Sequence, residues 1–222
     1  MRLARGRFAL PGLRPVWSNR LGDRSQAFVT RKLTRMLRFD RVTTRRLVLR
    51  RWQPGDLDSF AALNSDPEVM RHFPSTYDRS ATAAMITAWE AKIDRQGFGL
   101  WAVERAEDGA LLGMAGLNPV PPGIITGEGL EIGWRLARHA WGHGYATEAG
   151  RAAVDVARRI GAESVWSFTS VGNERSQAVM RRVGLSFVRY FDHPNIPDGQ
   201  STRPHVLYQL DLAGPEPRSE HQ

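Results

Sequence analysis

Two glycines on either side of His143 are the residues whose spacing first suggests chemistry. The stretch AWGHGYATEA, residues 140–149, places Gly142 and Gly144 immediately ahead of a run that reads as a helix, with Thr147 inside its first turn. A helix N-terminus carries unpaired backbone N–H groups and the positive end of the helix dipole. Glycine ahead of it lets the main chain approach an anion closely, because no Cβ intervenes. The combination suits a phosphate or pyrophosphate. The same pair also serves a tight strand-to-helix turn that binds nothing, and the ten residues alone leave both readings open.

Several other chemistries are excluded at the level of motif. No Gly-Lys-Ser/Thr is present, as a Walker A loop requires. A dinucleotide fingerprint fails because Thr147 stands at its third position and ARHA separates the glycines from the preceding strand. No G-x-S-x-G elbow occurs, which removes a serine hydrolase of that type. His139, His143, His193 and His205 lack the H-E-x-x-H spacing, so no metal is expected. The chain has no cysteine, and with it go disulfides, thiolate metal ligands and a cysteine nucleophile. This composition fits a reducing, cytoplasmic setting.

The elements that must position the glycines follow from periodicity. RRLVLRRW (45–52) alternates as a first strand, and QPGDLDSFAALNSDPEV turns at Pro54-Gly55 into a helix. A second helix is expected over Ser80–Arg95. FGLWAVERA and LLGMAGLNPV read as a hairpin through Asp108-Gly109. LEIGWRLA (130–137) is a further strand, after a Gly-rich loop at 121–129. Beyond Gly144, Ala149, Ala153, Val156 and Ile160 recur at intervals of 4, 3 and 4 and predict an amphipathic helix ended by Gly161. SVWSFTS is a strand, and Asn173 is suited to cap a short helix, Glu174 to Val183, closed by Gly184. SFVRYF and HVLYQLDL complete the strands. Trp101, Trp134, Trp141, Trp166 and Phe168 are expected mostly in the core, and Tyr190 and Tyr208 as packing residues. The order is α/β.

Charge divides the chain. Of 31 Lys and Arg and 23 Asp and Glu, residues 1–42 hold eleven bases and only two acids, leaving 20 bases against 21 acids in the remainder. The net +8 therefore belongs to the leader, and the folded part is not expected to be a nucleic-acid binder by its charge. The leader, broken by Pro11 and Pro15, is expected to be largely disordered apart from a short helix near Phe28–Leu37. It reads as an organelle transit peptide, as a flexible arm, or as untranslated sequence ahead of a true start at Met36. No apolar run approaches the roughly 18–20 residues of a membrane span. The expected organisation is a basic leader 1–42, a folded domain 43–212 and a polar tail 213–222.

EIGWRLARHAWGHGYATEA resembles the acetyl-CoA motif of the GNAT superfamily of acyltransferases. His139 stands where that family's loop has Gln or Arg. NERSQAVMRRVGLSF (173–187) is similar to the N-x-x-S…K-x-G-F signature of the Rim-type branch, the ribosomal-protein N-terminal acetyltransferases and their small-molecule relatives. Arg182 replaces the usual Lys, and Leu185-Ser186 stretches the Gly-Phe end. TTRRLVLRRW adds a weaker likeness to that branch's first strand. The resemblance covers residues 43–212 and implies a mixed sheet of six to seven strands, splayed in the middle, with about four flanking helices.

It further implies where acetyl-CoA would lie. The pantetheine arm would run along the backbone of Trp134, Arg135 and Leu136, in the gap between strands 130–137 and 164–170. The pyrophosphate would rest on amides from His139 through Trp141, Gly142, His143, Gly144, Tyr145 and Ala146 to Thr147. Acetyl transfer would go directly from thioester to amine, in keeping with the missing cysteine. Glu131 is the first candidate for the base, although it could equally be a carboxylate that orders the acceptor loop. His72 is a second candidate. The tyrosine many members use as acid is replaced by Met180. Ser176 is the branch's alternative acid, and also suits a helix's first turn. Asn173 would contact the pantetheine or acetyl region as well as capping.

The expected function is an N-acetyltransferase acting on a protein N-terminus or a small amine, as monomer or homodimer. Two alternatives are a non-catalytic acyl-CoA-binding regulatory module and a leader that attaches the protein to a ribosome or nucleic acid. Segments 64–80 and 118–129 are expected to set the acceptor.

Overall fold

The computed structural model describes residues 37–213. The helix expected near Phe28–Leu37 lies outside these residues but for Leu37. Eight strands form one sheet: β1 Arg41–Thr43, β2 Leu47–Arg50, β3 Leu100–Arg105, β4 Leu111–Pro119, β5 Leu130–Leu136, β6 Ser164–Ser170, β7 Ser186–Asp192 and β8 Pro204–Asp211. Their order is β1-β2-β3-β4-β5-β6-β8-β7. Every neighbouring pair is antiparallel except β5 and β6. Five helices cover the sheet: α1 Asp56–Ser65, α2 Pro67–Met70, α3 Arg79–Gln96, α4 Tyr145–Arg159 and α5 Glu174–Val183.

Two expectations are corrected. The sheet has eight strands because β1 lies across the boundary assigned to the leader. Phe39 is also in the core at 4% exposure, and Trp101 Nε1 donates to its carbonyl at 2.8 Å. The described fold therefore begins before residue 43. The helix expected to run through QPGDLDSFAALNSDPEV is two helices. The residue before a proline is pushed out of the α region, and Asp66, at ψ 114°, ends α1 and caps α2 by accepting from Glu68 N.

The two faces of the sheet carry separate cores. On one, Ala149, Ala153 and Val156 of α4 pack against Trp101, Val103, Ile132 and Leu136. A Cβ added at Gly150 would meet Val183 at 2.9 Å, so α4 sits tight against α5. On the other face, Phe60 and Leu63 of α1 and Met85 and Trp89 of α3 pack on Leu100, Ala102 and Met114. Asp78 caps α3 through Ala81 N at 2.7 Å. Asn173 caps α5 through Ser176 N at 3.2 Å, as the sequence predicts. Among the described residues no helix is long and apolar enough to cross a membrane.

The feature that positions the site is a failure of pairing. β5 and β6 are joined only at Leu130↔Val165 and Glu131↔Trp166. Beyond those pairs both strands continue without bonding each other. β5 stays zipped to β4 along its whole length, so the gap opens on the β6 side.

Candidate active site

The gap between β5 and β6 opens into a cavity of about 840 Å³. At its mouth the chain leaves β5, makes one 3-10 turn at Arg138–Ala140, and enters α4. Trp141 Nε1 donates to the Leu136 carbonyl at 2.8 Å and pins this turn to the strand. Gly142 and Gly144 both adopt left-handed backbone, at φ 80° and 78°. A side chain at either would be strained. A Cβ at Gly142 would meet no atom within 4 Å, so the main chain there faces open space. No side chain caps α4 at Gly144. Its first-turn amides, at Tyr145, Ala146 and Thr147, all belong to residues lining the cavity. This cradle of open backbone amides at a helix N-terminus is the kind of group that could hold an anion such as a diphosphate.

Glu148, an acid in the first turn of α4, would oppose such a ligand if it were free. Instead it accepts from Thr44 Oγ1 at 2.6 Å, Arg46 N at 2.8 Å and Arg46 Nε at 2.7 Å. Burial alone would raise its pKa, but the bonds from Thr44 and Arg46 outweigh it and hold the carboxyl below its ordinary value. Arg46 also donates to the His143 carbonyl at 2.9 Å and lies over the Tyr145 ring at 4.7 Å. Arg175 covers the Trp141 ring at 4.9 Å, and both it and Arg182 line the cavity near the cradle.

At the vertex of the gap stands Glu131, 9% exposed, with Oε2 buried and without a hydrogen-bond partner. Burial pushes its pKa up to about 8, and Lys92 pulls against this. Lys92 donates to Asn118 Oδ1 at 2.8 Å, and Asn118 is the β4 residue paired with Glu131. A carboxyl titrating near neutrality beside a cleft has the properties of a general base. Ser176 lines the cavity from α5. Asn173 does too, but its amide is committed: Oδ1 caps α5 and Nδ2 donates to Thr169 Oγ1 at 2.8 Å. His72 is tied at both ring nitrogens, by Arg71 Nε at 3.0 Å and Ser170 Oγ at 3.1 Å. Burial, then the neighbouring Arg71, lowers its pKa.

The model of the acetyltransferase (GNAT) domain matches residues 46–186. The chain belongs to the GNAT acetyltransferase family. It is 31% identical over 152 residues to the uncharacterized protein YkkB of Bacillus subtilis (strain 168), covering 66% of this chain and 86% of that one. It is 35% identical over 140 residues to the FsC-acetyl coenzyme A-N(2)-transacetylase of Aspergillus fumigatus, covering 58% of this chain and 57% of that protein. Among solved structures, the GNAT-family acetyltransferase from Bacillus anthracis superposes with a TM-score of 0.65 at 20% identity, over 78% of this chain and 98% of that one.

In this GNAT chain most of the residues singled out from sequence share one cavity. Trp134, Arg135 and Leu136 line it from β5, and Trp141, Gly142 and Gly144 from the cradle. His139 and His143 are not on its wall. His139 borders a separate hollow, and His143 stacks on Tyr145 at 5.6 Å.

On the far side of the cavity, sequence reasoning reaches Phe73 and Tyr77 only as part of segment 64–80, expects Phe168 in the core, and misses Ile196 and the place of His193 and His205. Phe73 and Tyr77 come from the segment before α3, and Phe168, His193, Ile196 and His205 from β6, β8 and the loop joining β7 to β8. Burial lowers both histidines, His193 to about 4 with His205 adding to the effect, so both rings are neutral at pH 7. Their ring centroids are 4.9 Å apart. No linear pattern links these residues. The register of β8 on β6, which sets His205 opposite Ser170, is what brings them to the wall.

Proposed function

We propose that this GNAT acetyltransferase uses acetyl-CoA and transfers the acetyl group directly to a primary amine. The observation that carries the reading is the convergence of two features on one cavity. A glycine cradle at Gly142 and Gly144 lies at one end. A buried, unpartnered carboxylate, Glu131, lies where β5 and β6 part. The name of the A. fumigatus relative, an acetyl coenzyme A N(2)-transacetylase, supports the nitrogen acceptor.

The chain's own groups then have these tasks. The amides of 142–147 would hold the diphosphate, and the unpaired edge of β5 would take the pantetheine. Glu131 would accept the proton of the acceptor ammonium, so that the free amine attacks the thioester carbon. The C–N bond forms as the C–S bond breaks. The departing thiolate takes a proton from the Ser176 hydroxyl, and the new amide nitrogen releases its surplus proton to solvent, from which the serine is restored. With a pKa of about 8, Glu131 is placed to work near neutral pH. The chain has no cysteine that could carry the acetyl group.

The test is CoA release from acetyl-CoA over a panel of amines and peptide N-termini. Turnover dependent on a primary amine is expected. Tight CoA binding without turnover of any amine would instead assign the chain to a non-catalytic binding module.

A further inference from the structure

Arg135 is a buried cation without a counter-ion. Its exposure is 6%, and it forms no ion pair among the described residues. Nη1 donates to Asn64 Oδ1 at 2.5 Å, and Asn64 is itself oriented by donating to Thr82 Oγ1 at 3.1 Å. The guanidinium lies over the rings of Phe73 at 4.4 Å and Tyr77 at 5.8 Å. Its Nε is buried with no partner in the protein. Enclosing an uncompensated charge costs several kcal/mol. The carboxylate of a ligand would supply the missing partner.

On β5 the residues 131, 133 and 135 share one face of the sheet, because side chains alternate. That face carries Glu131, Gly133 and Arg135, and all three line the cavity. A Cβ at Gly133 would have only Glu131 Oε1 near it, at 3.7 Å. The absent side chain therefore leaves a slot between the acid and the guanidinium. Four residues of strand separate the two Cα atoms by roughly 13 Å. The two orphaned buried atoms, Glu131 Oε2 and Arg135 Nε, belong to the two ends of that slot.

We propose that the acceptor is an ω-amino carboxylate, with its amine at Glu131 and its carboxylate on Arg135, several bonds away. The assignment rests on the acetyltransferase reading given above. An α-amino acid presenting its α-amine is too short to reach both ends. A single guanidinium balances the one charge of a carboxylate and would leave half the charge of a phosphate dianion unmatched. The remaining charges agree. Burial lowers Arg135 to about 10, which leaves it cationic at pH 7. Lys92 lies beside Glu131, with its pKa lowered by burial. His193 and His205 are neutral, and Glu68 is paired with Arg71 at 2.9 Å. A polycationic amine would meet no free carboxylate here other than Glu131.

The experiment compares amines of matched length on the full chain. Glycine, 4-aminobutanoate and 6-aminohexanoate are set against n-propylamine and n-pentylamine, with acetyl-CoA binding measured separately by calorimetry. kcat/KM should rise from glycine to 6-aminohexanoate and exceed that of n-pentylamine at least tenfold. Arg135→Met should collapse this ratio to near one, and Arg135→Lys should restore part of it. Gly133→Val, which fills the slot from a different residue, should weaken saturation by the longest amino acid and so raise its KM. Equal kcat/KM for the matched pair in the native protein overturns the proposal whether or not any variant folds. So does an Arg135→Met that weakens acetyl-CoA binding and slows both amines alike. If acetyl-CoA binds and alkylamines are acetylated as well as carboxylates, the acceptor assignment alone falls. If acetyl-CoA does not bind, the acetyltransferase reading falls with it.

Discussion

Arg46 Nε donates to Glu148 Oε2 at 2.7 Å, joining residues 102 positions apart, and Nη1 of the same guanidinium holds the His143 carbonyl at 2.9 Å. One side chain thus neutralises the acid in the first turn of α4 and fixes the peptide between the two cradle glycines. Truncating it unlocks the loop and frees a negative charge beside the diphosphate site. Arg46→Met should raise the KM for acetyl-CoA about tenfold, worth ~1.4 kcal/mol, with a smaller change in kcat. Steady-state kinetics at saturating amine read this directly.

Gly142 tests the cradle without altering charge. At φ 80° an alanine would be strained by roughly 1–2 kcal/mol, and its methyl would project into space that is open in the protein. Gly142→Ala should raise the KM for acetyl-CoA tenfold or more, and Gly142→Val further still. An unchanged KM in a variant with native circular dichroism would count against diphosphate binding at these amides.

How far the sequence reveals this arrangement depends on the range of the contacts. The capping role of Asn173, the helix after Gly144 and the strand 130–136 are set by neighbours a few residues away, and the pattern of residues displays them. Gly142 and Gly144 are legible for the same reason, since a positive φ is a local demand. Glu131 is reached only through the likeness of its strand to a family. Arg46 is not reached at all, because its partners lie about 100 residues downstream. Arg135 draws notice for its backbone, and only the packing of α1 and the Phe73–Tyr77 segment against β5 makes its side chain a buried cation. The extra strand β1 is three residues long, too short to show a period.

Glu131 sets a pH dependence. With a folded-state pKa of about 8, kcat/KM should rise between pH 6.5 and 9 along a limb with an apparent pKa near that value. Glu131→Gln should lower kcat most at neutral pH, lose less at high pH where the amine is already free, and move the limb up to the pKa of the amine itself.

The same carboxyl couples stability to pH. Its pKa is raised on folding, so the folded state binds the proton more tightly than the unfolded state. The resulting stabilisation is fully present below the unfolded value near 4.5 and is lost as pH rises through about 8. Glu131→Gln should therefore flatten the fall in Tm between about pH 5 and 8. A native protein whose Tm falls no faster than the variant's would show that Glu131 is not enclosed as described.

Ser176 divides capping from catalysis. Its backbone N–H is the group bonded by Asn173, so Ser176→Ala leaves that bond intact. If the hydroxyl protonates the thiolate, Ser176→Ala should lower kcat roughly a hundredfold or more with Tm nearly unchanged. A full rate would remove the serine from the mechanism.

The most direct measurement is a crystal structure of the protein with CoA. The expected result is diphosphate oxygens within hydrogen-bond distance of main-chain amides between Gly142 and Thr147, and a pantetheine arm bonded to the free edge of β5 over 132–136. A diphosphate bound elsewhere, or a β5–β6 gap filled by protein side chains in the complex, would contradict the cradle and the cleft together.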